Sequence, residues 1–342
     1  MTKRLSATLL TATLAAIWLA SIPVAAQSPS AKPKWTVPRT PWGDPDISGA
    51  FTNKDQQGIP FERDPALGTR RFLTEQEYAA RDEAARARVS REDSAFDAED
   101  PDGSPANGVW PSTAPPPHWG DRGTPTRRTS LVVDPPDGRI PPMTVDAQRR
   151  PAPRRRGSTG PGPFDGPEDL SFYDRCISRG LPNSMMPAFY GNSYQIVQAP
   201  GSVAIRYEMV HETRIIPLDG RPRLSPRIRQ YMGDARGHWE GTTLVVETTN
   251  FRPELVYRNA NANAVKLIER FTRTAPDRVQ WSVTVDDPTT WTRPWTFELD
   301  LTQDSGESPL EYSCHEGNYA MFNILSGARA DEKAAQRGAP TR

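Results

Sequence analysis

The chain has only two cysteines and four histidines among its 342 residues. Cys176 and Cys314 are far apart in the sequence, and two such cysteines most simply form one disulfide where the compartment is oxidising. A catalytic thiol is the alternative for either residue. The sequence has no His-Glu-x-x-His pair and no other pair of histidines at ordinary metal-ligand spacing. A metal centre would therefore require histidines that are distant in the chain.

Several motifs of catalysis and nucleotide binding are also absent. There is no Gly-x-Gly-x-x-Gly and no Gly-x-x-x-x-Gly-Lys-Ser/Thr, which argues against nucleotide chemistry. The nucleophile elbow Gly-x-Ser-x-Gly is missing as well. Lys plus Arg and Asp plus Glu both total 42, so the chain exerts no global attraction on nucleic acid or anionic membranes. We therefore expect no nucleic-acid partner.

Long apolar runs are lacking, and no stretch reaches the length of a membrane-spanning helix. The N-terminus has Lys3 and Arg4, a short apolar stretch over 9–22 and small residues at 24–26. This order is typical of a secretory signal peptide. We predict that residues 1–26 are removed, and that the mature protein is periplasmic or secreted with no membrane span.

Proline is abundant, with 36 residues, and it is concentrated before the middle of the chain. We interpret 27–165 as a proline-rich N-terminal segment that is mostly irregular. Thr74 and Glu77 form a capping-box pattern ahead of an alanine- and charge-rich run, which predicts one surface helix over about 75–92. The basic run at 149–157 is interpreted as a solvated linker, because it has no interleaved aromatic residues.

The stretch from Ser193 to about His315 alternates β-rich runs with turn residues. Pro200 and Gly201 suit the two central positions of a type II turn, which predicts a hairpin between 194 and 209. The whole stretch predicts roughly seven to nine antiparallel strands with no crossover helix. Closing such a meander into a barrel would remove its exposed edges.

Residues two apart on these runs separate into an apolar face and a polar face. On the run 203–211, one face is predicted to carry Val203, Ile205, Tyr207, Met209 and His211. Runs around Trp281 and Trp295 alternate in the same way. Charged residues such as Glu269, Arg270 and Arg293 are interpreted as ion pairs of the barrel wall. The fold class is therefore mainly β, an antiparallel meander closed into a barrel, with a few short helices and long proline-rich loops.

The segments that flank the meander are predicted to be helical. Gly166-Pro167-Glu168-Asp169 opens a short helix that ends at Gly180. Cys176 on this helix would be tied to the last strand, which is predicted to reach Cys314. A turn and helix follow over 315–333, so the core domain spans 166–333, and residues 334–342 are expected to form a disordered tail.

Seven stretches together resemble a group of uncharacterised exported bacterial proteins, over roughly residues 36–333. They are Asp174-Arg175-Cys176, Arg179-Gly180-Leu181-Pro182, Tyr194-Gln195-Ile196-Val197-Gln198, Ile215 to Gly220, Gly237-His238-Trp239-Glu240-Gly241 with Leu244 to Phe251, Asp287 to Trp295, and Cys314 to Tyr319. The resemblance implies export and brings no activity with it.

A second resemblance is to lipocalin-like (calycin) barrels, which carry Gly-x-Trp on their first strand. Gly49-Ala50-Phe51 matches that pattern with Phe51 in place of the tryptophan. The resemblance implies a lipocalin-like barrel with a ligand cavity in its mouth.

The leading functional hypothesis is that the barrel binds a small apolar or aromatic molecule in its interior. Aromatic side chains of the apolar face suit stacking against a flat ligand, although they fill a core equally well. The predicted ligand-binding residues are Tyr207, Trp281, Trp291 and Trp295. A structural envelope protein with a filled barrel is an alternative of a different class.

An enzyme acting in the same cavity is the other alternative. Histidine with a carboxylate or an arginine moves protons in a lyase, isomerase or hydrolase reaction. The predicted catalytic pairs are His211 with Arg214 and His315 with Glu316. No cofactor is expected, but His211, His238 and His315 with a carboxylate would make a zinc or iron site if folding gathered them. The oligomeric state is left open.

Overall fold

The computed structural model describes residues 35–96, 120–151, 162–304 and 309–338. Of the predicted features, the signal peptide 1–26, most of the basic run 149–157 and the end of the tail lie outside these ranges. Every element described below belongs to one compact unit, which begins at Val37.

A ten-stranded sheet of antiparallel pairs dominates the described part of the chain, so the protein is mainly β, as predicted. The strands are β1 Gly49–Thr52, β2 Val132–Asp134, β3 Ser193–Ala199, β4 Ser202–Tyr207, β5 Thr213–Pro217, β6 Asp234–Glu240, β7 Thr243–Thr249, β8 Lys266–Ala275, β9 Arg278–Asp286 and β10 Trp295–Gln303. Their hydrogen-bonded order is β5-β4-β3-β1-β10-β9-β8-β7-β6, and β2 pairs with β10. The N-terminal segment therefore contributes β1 to the middle of the sheet.

The turn chemistry explains the hairpins of the meander. Gly201 has a φ of 75°, which glycine adopts without strain, and Ala199 pairs with Ser202 across the predicted turn. Gly241 has a φ of 60° between β6 and β7, for the same reason. The predicted hairpin between 194 and 209 is confirmed, with its second strand ending at Tyr207.

The predicted alternation of faces is confirmed on β9 and β10. Trp281, Trp295 and Phe297 are fully buried, and so are the valines and leucines that share their face. The rings contact one another, with centroids 5.7 Å apart for Trp281 and Phe297 and 6.1 Å for Trp295 and Phe297. Side chains from most strands of the sheet join this single core. The apolar side of the sheet is therefore occupied by its own side chains.

The sheet is not closed by hydrogen bonds. Its path begins at β5 and ends at β6, and among the described strands no ladder joins these two. Gly237 on β6 lies against β5 and the residues after it, since an added Cβ would lie 2.6 Å from Leu218 Cδ2 and 2.9 Å from Ile216 Cγ2. The two edges therefore meet through side chains, and the predicted barrel is not confirmed.

The predicted strand over 203–211 is wrong in its second half. The Tyr207 amide donates to the Glu212 carbonyl at 2.9 Å, which closes a tight loop. Residues Met209–His211 form a short 3-10 turn, and both Val210 and His211 have positive φ, 63° and 38°. The period-two rule stops at Tyr207, so His211 leaves the inner face and is exposed.

The predicted helix over 166–180 is also wrong. Only Pro167–Asp169 forms a 3-10 turn, and further turns follow. Asp174 accepts hydrogen bonds from the amide and hydroxyl of Ser171 at 3.2 and 2.7 Å, a local pattern that competes with a regular helix. The last predicted strand is absent, because residues 309–314 adopt no strand and β10 ends the sheet.

The disulfide predicted between Cys176 and Cys314 is present, with an S–S distance of 2.03 Å. It joins two irregular segments rather than a helix and a strand. The Cα atoms are 5.7 Å apart, an ordinary separation for such a bond. The disulfide therefore fixes the chain after β10 to the segment that precedes β3.

Three α-helices flank the sheet in the described ranges: α1 Glu75–Phe96, α2 Val145–Arg149 and α3 Tyr319–Gln336. The capping box of α1 is present, since the Glu77 amide donates to Thr74 Oγ1 at 3.2 Å and the Thr74 amide donates to Glu77 Oε2 at 2.8 Å. Helix α2 was not predicted. In this part of the chain, no helix is both long and apolar enough to cross a membrane.

Candidate functional site

A cleft of about 750 Å³ opens between the segment before β3, the end of β4 and the loop after β7. We call it the aromatic cleft, because four of its lining residues carry aromatic rings. Its principal lining residues are Phe172, Tyr173, Arg179, Phe189, Tyr190 and Met209. Residues 253–255 complete its rim.

The segment over 178–186 separates the aromatic cleft from the core of the sheet. Leu181 and Met185 are almost fully buried and belong to the core, whereas Arg179 and Asn183 line the cleft. The Gly180 amide donates to Ser178 Oγ at 3.0 Å, and Gly180 has a φ of 66°. This turn places neighbouring side chains on opposite sides of the segment.

Two tyrosines, Tyr173 and Tyr190, line the cleft, and both interact with Tyr312. Burial and hydrogen bonding to Tyr312 raise the pKa of both Tyr173 and Tyr190 above the ordinary value. The rings of Tyr190 and Tyr312 are 6.4 Å apart. The hydroxyls of Tyr173 and Tyr190 therefore stay protonated and uncharged at neutral pH.

Arg179 is the cation of the cleft. Its guanidinium lies over the Tyr173 ring, with Cζ 5.6 Å from the centroid. The Nη1 atom is buried and has no hydrogen-bond partner. Among the described residues, no carboxylate forms an ion pair with Arg179. Glu254 on the rim is 3.0 Å from Arg252 instead.

A polar contact lies beneath the cleft. Ser178 Oγ donates to Glu212 Oε2 at 2.8 Å, and Ser178 is fully buried. Burial raises the pKa of Glu212, and the Ser178 hydrogen bond and the Arg214 charge oppose this only in part.

Deeper inside, Arg214 and Glu269 form a buried ion pair. Arg214 Nη1 and Nη2 donate to Glu269 Oε2 and Oε1 at 2.6 and 3.0 Å. Trp281 Nε1 also donates to Glu269 Oε1, at 3.2 Å. Burial raises the pKa of Tyr207, whose ring lies beside this pair. The structure thus brings together one predicted catalytic residue and two predicted ligand-binding residues, around a carboxylate that we expected in the barrel wall.

The other predicted catalytic residues are not brought together. His211 is exposed, and its Nδ1 lies 3.0 Å from the Tyr312 carbonyl oxygen. His315 and Glu316 are exposed in the turn after Cys314. No hydrogen bond or ion pair within the described ranges joins any of these three to Arg214.

The three histidines of the metal hypothesis remain apart. His238 lies on β6, where its Nε2 is 3.2 Å from exposed Glu240. Over the described residues, no group of three His, Cys, Asp or Glu side chains is arranged to hold a metal ion.

Trp291 and Trp295, the remaining predicted ligand-binding residues, contact each other with ring centroids 5.5 Å apart. They are 4% and 0% exposed and do not line the aromatic cleft. The sequence analysis missed the residues that do line it. The available signal was the density of aromatic residues from Phe172 to Tyr190 around Arg179, a stretch that was interpreted as part of a helix and of a resemblance.

Comparisons with known proteins add little. No family model matches the sequence, and no curated protein matches it. Among solved structures, a secretary abundant heat soluble (SAHS) protein from Ramazzottius varieornatus is similar over 39% of this chain and 86% of that protein. The identity is 11% and the TM-score 0.25, a level that carries no argument about fold or function.

Proposed function

We propose that this protein is an exported binding protein for a small aromatic or apolar molecule, and that the molecule binds in the aromatic cleft. The observation that carries the proposal is a cleft of about 750 Å³ whose walls include four aromatic rings and Met209. Small-molecule sites are concave, mostly apolar and of roughly 300–1,000 Å³. An apolar wall with a few polar groups fits that description.

The ligand would then bind at the rim of the sheet and not in its interior, where the sequence analysis predicted it. Trp281, Trp295 and Phe297 are fully buried and in mutual contact, so they occupy the space expected for a ligand. The contact of Gly237 with Ile216 and Leu218 supports a lipocalin-like barrel closed by side chains. In that arrangement the segment over 178–186 covers one mouth, and the cleft lies outside it.

Export is supported by the predicted signal peptide over 1–26 and by the disulfide between Cys176 and Cys314. Disulfides persist in oxidising compartments. We therefore propose a periplasmic or secreted location.

A structural envelope protein is the second candidate, and the filled interior of the sheet favours it. A protein of that class would bind no small molecule in the cleft. The acid/base enzyme has no such supporting observation, because His211 and His315 are both exposed and, among the described residues, neither is hydrogen-bonded to Arg214.

The test is a thermal-shift screen of small aromatic compounds on the purified mature protein. A ligand that binds only the folded state raises its stability by RT ln(1 + [L]/Kd). The variant Ala188→Trp would fill the cleft and should abolish the shift. Ala204→Trp, on the outer face of β4, is the matched control and should keep it.

Two results would overturn the proposal. Failure of every compound to stabilise the wild-type protein would favour the structural candidate. Equal binding by wild type and Ala188→Trp would place the ligand elsewhere.

A further inference from the structure

The guanidinium of Arg179 has one buried nitrogen, Nη1, without a hydrogen-bond acceptor. A buried N–H group without an acceptor destabilises the folded state, and native proteins rarely leave one. Arg179 Nη1 is such a group, and it belongs to a side chain that lines the aromatic cleft. A side chain of this kind indicates that its acceptor comes from outside the chain.

The charges near the cleft leave Arg179 without a protein counter-ion. Glu254 is the carboxylate on the rim, and Arg252 Nη2 lies 3.0 Å from its Oε1. Glu212, beneath the cleft, accepts from Ser178 Oγ at 2.8 Å. Within the described part of the chain, the cleft therefore presents one cation without an ion-pair partner.

The neighbours of Arg179 specify the rest of the ligand. The Tyr173 ring, 5.6 Å from Arg179 Cζ, continues into the apolar walls formed by Phe172 and Phe189. A flat apolar body fits between such walls. The hydroxyls of Tyr173 and Tyr190 add no charge, so a ligand group beside the guanidinium meets the positive charge of Arg179.

We infer that the ligand of the aromatic cleft is an aromatic carboxylate, held by an ion pair between its carboxylate and Arg179. This inference rests on the proposed binding function and deepens it. A guanidinium matches a carboxylate with two parallel hydrogen bonds. One cation balances one carboxylate, whereas a phosphate group generally meets a cluster of cations.

The experiment measures binding of matched pairs by isothermal titration calorimetry at neutral pH. The probes are benzoate, phenylacetate and 2-naphthoate, each beside its neutral primary amide, which has nearly the same shape. Wild-type protein should bind at least one carboxylate more tightly than its amide, by about 10- to 100-fold for a charge-assisted pair. Added salt should weaken the binding of the carboxylate and leave the binding of the amide unchanged.

Arg179→Gln should remove the preference for the carboxylate and keep the affinity for the amide. Arg175→Gln is the matched control, because Arg175 lies in the same segment and stacks on Phe172 at 4.9 Å without lining the cleft. That variant should retain the preference. Circular dichroism and thermal unfolding of both variants confirm that each is folded.

The outcomes separate the inference from the proposed function. If amides and carboxylates bind wild type equally, or if Arg179→Gln keeps the preference, the carboxylate inference is overturned and the binding function stands. If no compound of either kind binds, the proposed function is overturned and the inference with it.

Discussion

Arg214 on β5 and Glu269 on β8 are joined by two hydrogen bonds of 2.6 and 3.0 Å, although their strands are not neighbours in the sheet. Their side chains are 3% and 0% exposed. Burial alone would lower the pKa of Arg214, but the Glu269 carboxylate together with Tyr207 outweighs it and raises the pKa. The pair therefore holds the two halves of an open sheet together across its apolar side.

Replacing one member of this pair should strongly lower the free energy of unfolding. Glu269→Gln leaves the Arg214 charge buried without its counter-ion, which costs about 3–5 kcal/mol of unfolding free energy. Denaturant titration of wild type and variant measures the difference. The double variant Arg214→Met with Glu269→Leu should lose less than the sum of the single changes, because it leaves no buried charge unpaired.

The matched control is the next residue along the same strand. Arg270 points to the other face and pairs at 2.7 Å with exposed Glu240. The denaturation midpoint of Arg270→Gln should equal that of the wild-type protein within experimental error, because exposed ion pairs contribute little to stability. Equal losses at 269 and 270 would show that the buried pair does not tie the sheet together.

Much of the sheet could be predicted from the sequence, because alternation on a strand is a local property. Val279 to Val285 have apolar residues at every second position, and those residues are buried. The inward placement of Arg214 was harder to predict, since Ile215 and Ile216 are both apolar and period two does not choose between them. The structure buries Arg214 and leaves Ile215 66% exposed.

The aromatic cleft could not be predicted, because long-range contacts shape it. Leu181 and Met185 fix the segment over 178–186 by entering the core, and the disulfide fixes the other side. Neither contact leaves a periodic signal. The position of His211 could not be predicted for a related reason, because a tight loop ends β4 before this residue.

The interior tryptophans should behave as core residues. Trp281 is fully buried and contacts Phe271 and Phe297, with ring centroids 6.2 and 5.7 Å away. Trp281→Ala should lower the unfolding free energy by about 3–5 kcal/mol. Gln280→Ala, on the opposite face of β9, should change it by less than about 1 kcal/mol. A tryptophan variant of unchanged stability would mean that the interior is open to a ligand.

Stability should fall at alkaline pH because of the buried tyrosines. Burial raises the pKa of Tyr194 and Tyr207 well above the ordinary value. Above pH ~10 the unfolded chain loses these phenolic protons while the folded chain keeps them, so each tyrosine lowers the unfolding free energy by about 1.4 kcal/mol per pH unit. Tyr194→Phe should make the decline shallower when denaturant midpoints are measured across this range.

The control for the alkaline decline is Tyr319→Phe, since Tyr319 is 73% exposed. Its profile should follow wild type. Identical profiles for all three proteins would exclude Tyr194 as a cause.

The disulfide should contribute strongly to stability, because Cys176 and Cys314 are 138 residues apart. In the chain-entropy model, closing a loop of this length contributes about 4–5 kcal/mol. The double variant Cys176→Ser with Cys314→Ser should lose up to that amount in denaturant titration. Reducing agent should have no effect on the double variant, and a wild-type protein insensitive to reductant after unfolding would contradict the assignment.

Gly237 offers a test of how the edges of the sheet meet. A Cβ at this position would lie 2.6 Å from Leu218 and 2.9 Å from Ile216, so it would force β6 away from β5. Its φ is not positive, so alanine causes no backbone strain, and Gly237→Ala tests steric space alone. Overpacking of this kind costs about 1–3 kcal/mol. Gly241, in the turn that follows β6, is the control, because nothing lies within 4 Å of its added Cβ and only its φ of 60° constrains it. Gly241→Asn should therefore be tolerated, whereas Gly237→Ala should lower the denaturation midpoint and speed amide exchange in β5 and β6.

Unchanged exchange in both strands would mean that the two edges do not support each other, and the side-chain closure proposed for the barrel would be wrong.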